Sequence, residues 1–237
     1  MTNLSPKSPP VYLPAPFAAC DRHLGWDPMA DDFHKPTQYS GDKFDTFIGG
    51  EDPAQILRVA HDTAHALVDR ARRNTDPKVL ERLVAYTDEN GIDALAELWA
   101  RSSPRTLPGA LWRIYLMRLL IRQDPTGMSF LFTRGTEVLH TIDVLVAGAP
   151  VPTGPDEITV LADQILRGLF EGDFAVALDR AAAFCRVSAA GSTSVADDAE
   201  LTNPARATEL TSRAARLTQT ATEFTACARL HRSGQLE

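Results

Sequence analysis

Residues 203–228 read NPARATELTSRAARLTQTATEFTACA, and this stretch decides the fold. Apolar residues recur along it at alternating spacings of three and four, which is the spacing of a heptad with alanine at each a-type position and a large residue at each d-type position. The pattern predicts a helix over about 204–232 whose apolar seam requires a partner helix. The seam consists of Ala207, Leu210, Ala214, Leu217, Ala221, Phe224 and Ala228.

Two partners for the seam fit the sequence. The periodicity predicts two further helices, 156–170 and 173–187, and short connections favour pairing within one chain. The alternative is the same helix of a second subunit, since alanine lets two helices approach closely. We therefore expect the seven seam residues to be interaction residues, in contact with this hairpin or with the partner in a homodimer.

The predicted starts of four helices share one feature, a side chain with a carboxylate or amide followed by proline. Such a side chain accepts a hydrogen bond from an unpaired amide of the first turn, and proline at the first helical position loses no bond of its own. These pairs therefore predict firm helix starts. They are Asp52-Pro53, Asp76-Pro77, Asp124-Pro125 and Asn203-Pro204.

Helical periodicity fills most of the chain between these starts. The predicted helices before residue 150 are 53–73, a short helix through Val79–Tyr86 that ends near Asn90-Gly91, a third through Ile92–Trp99, one over 107–123 and one over 125–147. The helix over 107–123 is apolar nearly all round, which predicts that it is the central buried helix. Residues 188–202 are small, polar and partly acidic, which predicts a mobile connection.

No stretch alternates as a strand would, so the predicted fold is all-α, either a multi-helix bundle or a HEAT-like stack of short antiparallel helices. The first 50 residues hold seven of the 16 prolines and seven of the 17 aromatic residues. This composition predicts an extended arm that lies on a surface, its own or a partner's. The expected domains are the arm (1–50), a helical core (51–147) and a C-terminal hairpin with the long final helix (156–237). The alternative is that the last two are continuous.

Composition excludes several classes of protein. The chain has 237 residues, three cysteines and a net charge of -7. It contains no run of about 18 uncharged apolar residues and no apolar secretory segment, so we expect neither a membrane span nor a leader. Three scattered cysteines do not make a disulfide framework, which favours a reduced, cytoplasmic protein. The acidic balance makes nucleic acid an unexpected partner.

The strongest chemical motif lies in the first predicted helix. His61 and His65 are one turn apart, and Asp62 follows the first of them. The segment resembles the HD phosphohydrolase family, in which a His-Asp pair on a helix binds a divalent metal. The resemblance implies an upstream histidine and a downstream aspartate as further ligands, and His34 and Asp143 are the nominal matches.

A second fragment, Glu137-Val-Leu-His140, has the spacing of half a di-iron carboxylate site. Glu137 and His140 would join His61, Asp62 and His65 in one mixed His/carboxylate metal site if helices 53–73 and 125–147 faced each other. The competing interpretation is that all five residues are ordinary surface or half-buried side chains. No cofactor is then expected.

Other chemistry is absent from the sequence. There is no nucleophile elbow and no phosphate-binding Gly-Lys-Ser/Thr loop. Cys185 and Cys227 lie among apolar residues and are predicted to be buried small hydrophobes. Arg113, Arg118 and Arg122, like the arginines of the last helix, are predicted to lie on solvated faces or to interact with helix dipoles.

These patterns favour a noncatalytic helical protein that acts through protein–protein interaction or self-association. The first alternative is a metal-dependent phosphohydrolase that uses the His-Asp-x-x-His helix. A transcriptional regulator is the second, although no groove-reading helix stands out.

Overall fold

The computed structural model describes residues 52–73 and 98–237, which contain helices and no strand. The all-α prediction is confirmed for these residues. The helices are α1 (Pro53–Arg73), α2 (Leu107–Gln123), α3 (Pro125–Val138), α4 (Asp143–Ala147), α5 (Pro155–Glu171), α6 (Phe174–Ala199) and α7 (Pro204–Arg232). All of them belong to one compact unit that spans residues 49–237. The predicted arm (1–50) and most of the chain between α1 and α2 lie outside the described residues.

Proline-capped starts are present at three of the four predicted places. In each, the side chain before the proline accepts a hydrogen bond from a backbone N–H of the first turn, as the cap requires. The bonds run from Ala54 to Asp52 (3.0 Å), from Gly127 to Asp124 (2.8 Å) and from Arg206 to Asn203 (3.1 Å). The fourth pair, Asp76-Pro77, is outside the described residues.

Helix α6 is the centre of the packing. It contacts α3, α4, α5 and α7, and its contact with α7 is the most extensive in the fold. Helix α2 packs against α1, α5 and α7. The core along α6 includes stacked rings of Phe132 and Phe184, whose centroids are 5.5 Å apart, and the fully buried Phe224 of α7. This aromatic core positions the remaining helices around α6.

The crossing of α3 and α6 is unusually close because a glycine from each helix lies at the contact. A Cβ atom added to Gly135 would lie 1.9 Å from the carbonyl oxygen of Val187, and one added to Gly191 would lie 1.8 Å from that of Leu131. No side chain fits there, so the two backbones touch directly. Gly135 therefore serves the packing of the helix that it would otherwise weaken.

Three details of the predicted fold are wrong. Helix α6 continues to Ala199, so most of the residues predicted to be mobile (188–202) are helical. Their small side chains, such as the fully buried Ser188 and Ser192, are the ones that close packing against other helices requires. The central buried helix is α6 and not α2, because α2 leaves Leu116 and Leu119 about 40% exposed on its outer face.

The predicted single helix over 125–147 is the third error. Helix α3 ends at Val138, Leu139 has extended backbone angles, and the short α4 begins at Asp143. The Thr141 hydroxyl accepts a hydrogen bond from the Asp143 N–H (3.3 Å) and donates one to the Asp143 carboxylate (2.8 Å). Such local side-chain bonds compete with the helical pattern, so a turn forms where apolar periodicity alone predicts helix.

Candidate functional site

The seven seam residues are buried where α7 faces α6 of the same chain. The partner helix that the heptad spacing requires is therefore α6 of the same chain, which contains the second helix of the predicted hairpin. Contact between two chains through these residues would require the α6–α7 pair to open.

The predicted metal ligands on α1 flank its buried stripe. Ala60 and Ala64 are fully buried, whereas Asp62 and His65 are exposed and His61 is half-buried. Thr63, between the histidines, accepts a hydrogen bond from the Trp99 indole at 3.2 Å. This side of α1 makes ordinary packing contacts.

The structure does not bring the five predicted ligands together. Helix α1 packs against α2 and α5, whereas Glu137 and His140 are exposed near the end of α3. Glu137 accepts a hydrogen bond from Arg134 at 3.2 Å. Within residues 52–73 and 98–237, no three His, Cys, Asp or Glu side chains form a group that could hold a metal ion.

Asp143, the downstream match of the HD resemblance, is held by an arginine. Two nitrogens of Arg186 contact the Asp143 carboxylate, at 2.6 and 2.8 Å. The third nitrogen of its guanidinium group donates a hydrogen bond to the Thr225 hydroxyl at 3.2 Å. Partial burial works to raise the pKa of Asp143, but hydrogen bonds from Arg186 and Thr141 and the charge of Arg186 outweigh it and lower the pKa below its usual value. The carboxylate therefore stays ionised and paired. His34 lies outside the described residues.

Cys185 and Cys227 are buried, which confirms their prediction as small hydrophobes. Burial raises the pKa of the Cys185 thiol to about 12 and that of Cys227 to about 11. Neither is a thiolate at neutral pH, so neither is an activated nucleophile.

Arg113 and Arg118 of α2 correct another prediction. Arg118 is buried and binds Asp163 of α5 at 2.6 Å, while Arg113 binds the buried Glu223 of α7 at 2.5 Å. Gln219 donates a further hydrogen bond to Glu223 at 2.9 Å. These two side chains join helices across the interior and do not lie on a solvated face, because the fold supplies each with a carboxylate from another helix.

Four exposed apolar side chains lie close together in the sequence, from the end of α3 to the loop before α5. We call Val138, Ile142, Leu145 and Val151 the apolar segment; their exposed fractions are 43%, 71%, 80% and 91%. Ile142 and Leu145 are three residues apart and share one side of the α4 turn. Val138, Ile142 and Leu145 all lie within the single helix that periodicity predicted over 125–147. The break after Val138 turns Ile142 and Leu145 towards solvent.

A cationic cavity lies beside Arg186, the arginine that pairs with Asp143. Its volume is about 600 Å³, and it opens between the loop before α2, the middle of α6 and one side of α7. Arg105, Arg186 and Arg229 line it together with threonines of α7. No local pattern predicts this set, because its arginines are far apart in the chain and only the fold brings them to one place.

Each described helix is either too short or too polar to cross a bilayer. No family model, no curated protein and no solved structure matches the chain.

Proposed function

We propose that this chain is a noncatalytic helical protein that acts by self-association, with the apolar segment as its contact. The observation that carries the proposal is the exposure of Ile142 and Leu145, two large aliphatic side chains side by side on a well-packed turn. A single exposed apolar residue is common on protein surfaces, but neighbouring ones are typical of interaction sites.

The short helix α4, which carries Leu145 and starts after Ile142, is firmly anchored, so the exposure of these two residues is not that of a frayed end. Ala147 is fully buried, and Arg180 of α6 donates a hydrogen bond to its carbonyl oxygen at 3.3 Å. Asp143, the first residue of α4, is paired with Arg186, which also belongs to α6. An anchored apolar surface loses little conformational entropy when it binds, which favours association.

The charge of the chain limits the surface through which a second copy could bind. Two copies that each carry a net charge of -7 repel, so a contact between them needs a surface that adds no further like charges. The four side chains of the apolar segment are uncharged, and a two-fold axis would pair the same residues from both copies. Self-association through this segment therefore places no like charges in direct contact.

The test is the mass of the full chain in solution, measured by light scattering and sedimentation from nanomolar to high micromolar concentration. We expect a concentration-dependent dimer, and a monomer for the double variant Ile142→Gln, Leu145→Gln. The matched control is Leu57→Gln, which removes an exposed leucine from α1, a helix that packs against α2 and α5.

A wild-type chain that stays monomeric over the whole range would overturn the proposal. So would a dimer that the double variant retains, because the contact would then lie elsewhere. Cross-linking of the wild-type chain to a different protein, lost in the double variant, would replace self-association by a heterologous partner on the same residues.

A further inference from the structure

The cationic cavity is built from three separate elements. Arg105 comes from the loop before α2, Arg186 from α6 and Arg229 from the last turns of α7. Like charges at one place repel, so a folded chain gathers them at a cost unless an anion compensates. The chain has 31 acidic side chains that could do so, yet among the residues that the structure describes Arg186 alone of these three arginines is paired, with Asp143. Arg105 and Arg229 form no ion pair in the part of the chain that the structure describes.

The cavity's walls are held in place. The Pro104 carbonyl, next to Arg105, accepts a hydrogen bond from the Cys227 thiol of α7 at 3.3 Å, and the Leu107 N–H donates to the Glu237 carbonyl at 2.6 Å. Arg186 is fixed by Asp143 on one side and by Thr225 on the other. Arg186 is therefore a fixed donor, and a fixed donor loses less rotamer freedom than a mobile one when it binds an anion.

Two of the three threonines that line the cavity do not add donors. Thr222 gives its hydroxyl proton to the Thr218 carbonyl (3.0 Å), and Thr225 gives its own to the Ala221 carbonyl (2.9 Å). An anion in the cavity would therefore receive its charged hydrogen bonds from the guanidinium groups. These planar forks bind the oxygen atoms of phosphates and carboxylates in pairs.

The charge and the volume of the cavity restrict the class of ligand that it can bind. Two unpaired guanidinium groups match a dianion, which favours a phosphate over a single carboxylate. A volume of about 600 Å³ lies in the range of small-molecule sites, roughly 300–1,000 Å³, and exceeds what one phosphate group fills. Apolar side chains of α7, among them that of Leu230, line the remaining wall.

We propose that the cavity between the 105 loop, α6 and α7 binds a small phosphate monoester, with Arg105 and Arg229 as the principal ligands of the phosphate and Arg186 as a third, pre-positioned donor. This binding site is independent of the proposed self-association, because none of its residues belongs to the apolar segment.

Calorimetric titration and thermal unfolding of the full chain test the proposal, with inorganic phosphate and phenyl phosphate as probes and sodium chloride at matched ionic strength as reference. We expect both phosphates to bind and to raise the melting temperature above the chloride reference. Phenyl phosphate should bind more tightly, since its ring reaches the apolar wall. Equal affinities would assign the cavity to free phosphate and overturn the monoester.

Variants distinguish phosphate binding at a specific site from nonspecific attraction of anions to positive charge. Arg105→Gln and Arg229→Gln should each lower phosphate affinity by about tenfold or more, because each removes a charged hydrogen-bond donor. Both side chains are exposed, so the fold should survive, and circular dichroism checks this. Arg216→Gln on the opposite side of α7 is the matched control and should bind as the wild type does. Failure of phosphate to bind, or an equal loss in all three variants, would overturn the proposal.

Discussion

The seam of α7 and the apolar segment between α3 and α5 are both apolar, yet the fold treats them in opposite ways. Four of the seven seam residues are alanine, and the seam is buried against α6. The apolar segment consists of larger aliphatic residues and is left in water. Small side chains allow two helices to share a long, close contact, and that length buries more surface than a few large residues on a one-turn helix can. Contact length, more than side-chain size, decides burial here.

The largest effect should come from removing the bulkiest side chain of the seam. Phe224→Ala leaves a cavity at a fully buried position, and we expect a loss of about 3–5 kcal/mol in the free energy of unfolding. Urea unfolding followed by circular dichroism measures it. A loss below about 1 kcal/mol would mean that the surrounding side chains fill the cavity, and that close packing between α6 and α7 does not stabilise the seam.

The close glycine crossing gives the next largest effect. Gly191→Ala would place a methyl group against the Leu131 carbonyl, and the two helices would have to separate. We expect a loss of about 1–3 kcal/mol even though alanine favours helix formation. Thr193→Ala, at an exposed position two residues further along α6, is the control and should change stability by less than about 0.5 kcal/mol. A more stable Gly191→Ala variant would contradict the close contact.

A smaller, pH-dependent effect is expected where α7 ends. His231 stacks on Phe174 with ring centroids 4.9 Å apart. Burial, followed by the nearby charge of Arg72, lowers the pKa of His231 below its ordinary value of about 6.5, and Asp173 only partly opposes this. The unfolded chain then binds the proton more readily. The histidine's contribution to stability is therefore complete above about pH 6.5 and is lost as the pH falls from there through the lower folded pKa.

The measurement is the difference in unfolding free energy between the wild type and His231→Gln over this pH range. We expect the wild type to lose stability towards acid more steeply than the variant. Parallel pH curves would show that His231 titrates alike in both states.

The smallest effect on stability should come from the apolar segment. Ile142→Gln with Leu145→Gln should change the free energy of unfolding by less than about 0.5 kcal/mol, because both side chains are mostly exposed. Unfolding is measured at a concentration where the chain is monomeric. A loss comparable to that of Phe224→Ala would show that these residues belong to the core, which would remove the contrast with the seam.

Local chemistry predicted the parts of this fold that depend on neighbours in the chain. The caps at Asp52, Asp124 and Asn203 each need only a side chain and the next few amides, and each formed as predicted. The length of α6 was missed because Ser188 and Gly191 resemble a loop until the helix packed against them is known. Turn formation at Thr141 was missed for a related reason, since apolar periodicity outweighed one hydroxyl in the prediction.

The candidate sites were harder to predict than the fold. His61 and His65 formed the most suggestive pattern, but proximity along one helix does not bring further ligands from another. Arg105, Arg186 and Arg229 belong to no sequence motif, and only the tertiary fold brings them to one cavity. Asp143 shows the same limit, since its partner Arg186 comes from a distant helix.

The central place of α6 has a consequence for how the molecule melts. Since α3, α4, α5 and α7 all rest on this one helix, none of them keeps its largest contact once α6 is lost. Damage at any of these contacts is therefore shared by the helices that pack on α6, and the signals of fluorescent reporters placed on α3 and on α7 should change in a single cooperative transition. Helix α1 packs mainly against α2 and α5, so it can unfold while the contacts of α6 with these four helices stay intact.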